Sequence, residues 1–258
     1  ISIETKSKSK NYTFFHLFYT SKFARYTIAL GFSLTVTSII FYSLLFNIES
    51  LSGSIYWNSV LVAAIRFVAN MSIASLERGI KCIGRKMIHF GSLVVVEIGL
   101  IILLSIIVTG TQAEFSLFSR IAALGIIGIA SQFYIITAVV SNELFPTCIR
   151  NLSYSFTQFC SKIGVIIAPN IFALQIYLLR NYDSGLSLYW EALPYTIMLV
   201  LAVMNQFLFQ FNIAETKGKP LNDHMPGSEK RVFKSNRATN GKIIKDSEAT
   251  QKLKENEV

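Results

Sequence analysis

The chain has 258 residues, of which 52% are apolar and only 15% charged, with a mean hydropathy of +0.48. That is too hydrophobic for a soluble domain of this length and points to a polytopic membrane protein. The net charge of +9 does not indicate nucleic acid, because the basic residues lie in short connections and a tail rather than on one folded face. The three cysteines, Cys82, Cys148 and Cys160, show neither metal-ligand spacing nor an even count, so no metal site, zinc included, and no disulfide framework is predicted.

In chain order, residues 1–25 are rich in lysine and serine before an aromatic run, the pattern of a cytosolic loop ending on the membrane surface. The chain starts at Ile1 without a signal-peptide pattern and is read as a fragment. Windows of about 20 apolar residues, enough to cross the hydrocarbon core, then recur six times. They fall at 26–47, 55–76, 88–108, 118–140, 152–179 and 193–212, which predicts an all-α membrane unit over 26–212. Ala122, Ala123, Gly125, Gly128 and Ala130 give the fourth span a small-residue packing face, and Pro169 predicts a bend in the fifth. From 213 to 258 the sequence is polar and mixed in charge, and a disordered cytosolic tail is expected.

Six crossings put both ends on one side. Lysine and arginine collect there: Lys6, Lys8, Lys10, Lys22, Arg25, Arg78, Lys81, Arg85, Lys86, Arg150 and ten more in the tail, against Arg120 and Arg180 opposite. The positive-inside rule makes that side cytosolic and leaves 47–54, 109–117 and 180–192 outside.

The segment Ser141-Asn-Glu-Leu-Phe-Pro-Thr-Cys-Ile-Arg-Asn151 is the strongest charged break between two long apolar runs. Pro146 cannot continue a helix and biases Phe145 toward extended angles, so a turn is predicted, with Glu143 and Arg150 placed to bridge the two helix ends. Its pattern E-L-F-P-T-x-I-R-N resembles the signature of the organic ion transporters (organic cation, anion and zwitterion carriers) of the major facilitator superfamily. Leu76-Glu-Arg-Gly-Ile-Lys-Cys-Ile-Gly-Arg-Lys86 is similar to the family's D-R-x-G-R-R loop, with Gly84, Arg85 and Lys86 matching its end. About three residues are inserted, and Glu77 or Lys81 stands where the family has aspartate. Phe41-Tyr42, Asn47, Leu51, Gly53, Ile55, Tyr56 and Asn58 resemble the family's first-span exit. Ala214-Glu-Thr-Lys-Gly-Lys-Pro-Leu221, with Glu215, resembles the motif after the last span. Sugar porters share that last motif, but the glutamine pair usual in their first span is missing here.

The resemblance covers about 14–221 and implies the second six-helix half of a twelve-helix carrier, whose substrate lies near the bilayer midplane between halves that rock against each other. It implies as partners a small organic ion, the lipid bilayer of the plasma membrane and an N-terminal six-helix half, without which the chain should not transport. The competing readings are a sugar-porter relative and a non-transporting fragment that binds another subunit.

Ionisable groups within spans mark function most directly. Counting ~1.5 Å per residue, Arg66, Glu97 and Lys162 each lie about 14–17 Å into their spans, near the middle of a core about 30 Å thick. Ser155, Gln158 and Lys162 form a stripe on the fifth span; Asn58, Arg66 and Asn70 share a face of the second, and Ser131, Tyr134 and Ala138 a narrower one of the fourth. The plain structural reading pairs Glu97 with Arg66 or Lys162, and places His89 at the surface. Phe41 and Tyr42 are candidates because the family sets aromatics there against flat organic substrates. In the family, the Lys162 position tends to hold aspartate in cation carriers and arginine in anion carriers. Lys162 and Arg66 therefore point to an anion. No nucleophile context and no phosphate loop is present, so neither an enzyme nor a cofactor is predicted.

Overall fold

The computed structural model describes residues 13–48, 53–80, 84–181 and 187–218. A single 3-10 turn, Phe14–Phe18, precedes six helices: α1 (Ser21–Phe46), α2 (Ile55–Gly79), α3 (Arg85–Val108), α4 (Ser116–Leu144), α5 (Thr147–Asn181) and α6 (Ser187–Asn212). Each is long and apolar enough to cross a membrane, and the described residues include no strand. The protein is an all-α, multi-pass membrane protein. Each predicted window coincides with one helix. The largest differences are at helix starts: α1 begins at Ser21, so the N-terminal segment joins the bundle earlier than the apolar run suggests.

Helices α1 and α4 are the buried centre, whereas α2 and α5 are largely exposed. The longest seam runs between α1 and α5, α2 packs chiefly on α4, and α3 is held between α4 and α6. Close approach depends on two glycines. A Cβ at Gly164 of α5 would collide with the Thr35 carbonyl of α1, and one at Gly128 of α4 would collide with Ile65 of α2. Thr35 Oγ1 also donates to the Cys160 carbonyl at 3.1 Å, a hydrogen bond across the α1–α5 seam.

One core cluster fills the bundle around Leu93, Leu100, Leu103, Ile127 and Met198. A second closes the end that carries both termini, where Leu17, Phe23, Phe145, Ile149, Phe209 and Ile213 pack together. Phe14 and Phe18 meet the ring of Phe156 on α5, which ties the segment ahead of α1 to the bundle. The α4–α5 turn follows the proline rule: Phe145 is extended (φ −102°, ψ 141°), and both it and Pro146 are buried. Ser141 and Ser153 are hydrogen-bonded across the turn at 3.0 Å. The expected bend at Pro169 falls inside an α5 that runs unbroken from Thr147 to Asn181. Of the tail expected to be disordered over 213–258, residues 213–218 are held on the bundle by buried Ile213 and the Glu215 carboxylate, and 219–258 lie outside the described residues.

Candidate functional site

Deep in the bundle, hydroxyls join three helices. Ser38 Oγ of α1 lies 2.9 Å from Tyr134 Oη of α4 and 2.8 Å from Ser161 Oγ of α5. One turn along α1, buried Phe41 meets Tyr42 edge-on at 5.1 Å and Tyr134 at 6.1 Å. The Arg66 guanidinium of α2 sits 5.5 Å from the Phe41 ring centre, within cation–π range. Lys162 follows Ser161 directly and is exposed, as is Arg66; Gln158 is half-buried one turn earlier on α5. Four helices thus place aromatic faces, hydroxyls and the Arg66 guanidinium around one region, with Lys162 next in sequence to one of its hydroxyls. Such a region can receive an aromatic or anionic group and offers no metal-ligand cluster among the described residues.

A second cluster stands at the terminus-bearing end. Arg85, the first residue of α3, lies 2.9 Å from Glu77 at the end of α2 and 2.7 Å from Glu143 at the end of α4. The Arg85 Nε approach to Glu143 Oε2 falls outside hydrogen-bond angles, so it acts as an ionic contact. Glu215 accepts the backbone N–H groups of Arg85 (3.0 Å) and Lys86 (3.2 Å), capping α3 with a carboxylate where its dipole favours negative charge. The N–H groups of Thr216 and Lys217 converge on the same carboxylate at 3.0 Å each. Gly84, the N-cap, is buried beneath it, and a Cβ there would collide with Glu215. Lys217 Nζ donates to the carbonyls of Glu77 (2.8 Å) and Ile80 (3.1 Å), closing the end of α2.

No family model matches the chain. Among curated proteins it is 27% identical to the organic cation/carnitine transporter 4 of Arabidopsis thaliana, over 85% of this chain and 37% of that protein. It is 30% identical to solute carrier family 22 member 12 of Rattus norvegicus, over 75% and 31%. Human solute carrier family 22 member 2 is 28% identical over 88% and 37%. The curated homologues of this chain are organic ion transporters of the major facilitator superfamily. The chain spans about a third of the length of these relatives, and its six-helix bundle is one half of the major facilitator fold.

Against that fold, the residues singled out in the sequence divide into two groups. Phe41, Tyr42, Tyr134 and Arg66 meet in the bundle, with Gln158 and Lys162 on α5 to either side of Ser161, while Gly84, Arg85, Lys86, Glu143, Pro146, Arg150 and Glu215 lie toward the terminus-bearing end. Three expectations are corrected and one open choice narrows. Glu143 pairs with Arg85 rather than Arg150, two of whose nitrogens are buried without a hydrogen-bond partner. Of the two candidates for the missing aspartate, Glu77 makes the ion pair, and Lys81 lies outside the described residues. Glu97 joins neither Arg66 nor Lys162, since the ion pairs among the described residues are those of Arg85; α3 packs on α4 and α6, away from both cations. His89 is fully buried, stacked on Phe209 at 3.5 Å and hydrogen-bonded to Ser33 at 3.2 Å, because α3 turns that face into α1 and α6. Ser38 and Ser161 were not foreseen: hydroxyls in apolar spans usually bond their own backbone, and only the three-dimensional crossing reveals these links.

Proposed function

We propose that this chain is the C-terminal half of a secondary carrier that moves small organic ions, anions by preference, by alternating access with a second six-helix half. The observation that carries the reading is the pair Arg66 and Lys162. Both are exposed on membrane-spanning helices and neither is in an ion pair among the described residues; Arg66 sits against the Phe41 ring, and Lys162 follows Ser161, which is linked through Ser38 to Tyr134. Unpaired cations are expensive in hydrocarbon, so they belong in a water-filled cavity that the second half closes. A cavity wall of net positive charge attracts anions and repels cations most strongly where the dielectric is low. Lysine lacks the planar fork of arginine, so a carboxylate or sulfate is held as a point charge and selectivity is broad.

In this reading the terminus-bearing end is cytosolic, as the lysine and arginine asymmetry supports, and the membrane is the plasma membrane. The Glu77–Arg85–Glu143 group, capped by Glu215, then braces the cytosolic mouth, and its contacts break and reform as the carrier turns over. The test is uptake by the complete twelve-helix protein in cells. Labelled organic anions should enter, and Lys162→Asp should depress that uptake and admit organic cations. Unchanged anion uptake by the variant, or strong cation or hexose uptake by the unmutated protein, refutes the assignment.

A further inference from the structure

Beside the second cluster, a cavity of about 210 Å³ lies between α2, α3 and α4. Glu77 and Arg85 bound one end of it, and those two groups neutralise each other at 2.9 Å. Its walls are otherwise almost wholly apolar, with Met71, Ala74, Ile88 and Ile135 among them. Two amides break that surface. Gln132 of α4 is 2% exposed and its Nε2 meets no acceptor; Asn70 of α2 contributes a buried Oδ1 that meets no donor. The donor and the acceptor complement each other, yet they line one cavity without bonding to each other.

The geometry points to a binding site for a small, uncharged, membrane-partitioning amphiphile with an apolar body and a single hydroxyl head. A hydroxyl both accepts, as Gln132 Nε2 requires, and donates, as Asn70 Oδ1 requires. A carboxylate cannot donate and an ammonium cannot accept, so either leaves one amide unmet while adding a charge to an apolar cavity. The volume suits a body on the order of ten heavy atoms, since a dry cavity of about 150 Å³ takes benzene. It is far larger than a single bridging water needs, and its apolar walls offer water few partners. Access is from the side, because α2 and α3 share no extensive seam beyond the Glu77–Arg85 contact, and Met71, Ala74 and Ile135 are exposed beside the cavity. Asn70 and Glu77 are seven positions apart on α2, so the site reaches about 10 Å from the ion pair into the membrane. An occupant bridges α2 to α3 and α4 beside Arg85, and therefore favours whichever arrangement of the bundle keeps that ion pair closed.

The test uses the chain in lipid nanodiscs and three photoactivatable probes of equal length: octanol, octanoic acid and octane, each carrying a diazirine. The alcohol should label residues within 70–77 and 132–139 in preference to the other two probes. Gln132→Leu, which keeps the side-chain volume, should raise the half-saturating alcohol concentration roughly three- to tenfold, the worth of one net hydrogen bond. Ala74→Trp fills the opening from an exposed position, leaves the core untouched, and should abolish the labelling. Equal labelling by octane or octanoic acid overturns the proposal, as does alcohol labelling that Ala74→Trp or Gln132→Leu leaves unchanged.

Discussion

Substituting alanine at Gly84 isolates the contact between the last described turn and the start of α3. Gly84 has φ −91° and ψ 168°, angles that any residue adopts, so the substitution carries no backbone strain. What it adds is one Cβ, placed where the Glu215 carboxylate sits. The carboxylate is the far end of a flexible side chain and swings aside, and the four N–H groups it holds at 3.0–3.2 Å lose their acceptor. Glu215 is half-buried, so water replaces part of that loss. The lost cap is worth about 1–2 kcal/mol, and glycine's advantage over alanine at an N-cap adds about 0.5 kcal/mol. Glu215→Ala should cost the same 1–2 kcal/mol by removing the acceptor directly. Because both changes destroy one interaction, the double variant should cost little more than Gly84→Ala alone, with a coupling of about 1 kcal/mol. Thermal unfolding of the purified chain in nanodiscs measures all three; at about 2–4 °C per kcal/mol, each single variant should melt several degrees lower. Strict additivity, or a neutral Gly84→Ala, refutes the capping argument.

Two further outcomes test the packing and the ion pairs. Gly164→Ala forces a Cβ into the Thr35 carbonyl of α1, which cannot move aside, and should cost about 1–3 kcal/mol, whereas Gly125→Ala meets nothing within 4 Å and should be neutral or stabilising; comparing monodisperse yield and melting temperature of the two in nanodiscs checks this. Arg85→Glu sets three carboxylates together and should lower the melting temperature, and adding Glu143→Arg should recover only part of the loss, because Glu77 then faces Glu at 85; full recovery would show that Glu77 contributes nothing.

The helices were legible because a bilayer demands about 20 apolar residues in a row, and each such run became one helix. The α4–α5 turn was legible from Pro146 alone. Tertiary partners were not. Arg150 looked like the partner of Glu143 because it is seven residues away, yet Arg85, fifty-eight residues away, takes that place since α3 starts where α4 ends. His89 looked superficial because it follows Arg85 and Lys86, but helical rotation within one turn carries a side chain from a charged edge to the core.

The seams of the bundle also fix an order of assembly. Helix α2 finds its main neighbour in α4, and α1 finds its longest seam with α5, so neither is satisfied by the helix that follows it in the chain. Until α4 has followed α2 in the chain, α2 and its Arg66 lack the neighbour they pack on within this bundle. Within this bundle, α1 and α2 therefore complete their main seams only when α5 and α4 are in place.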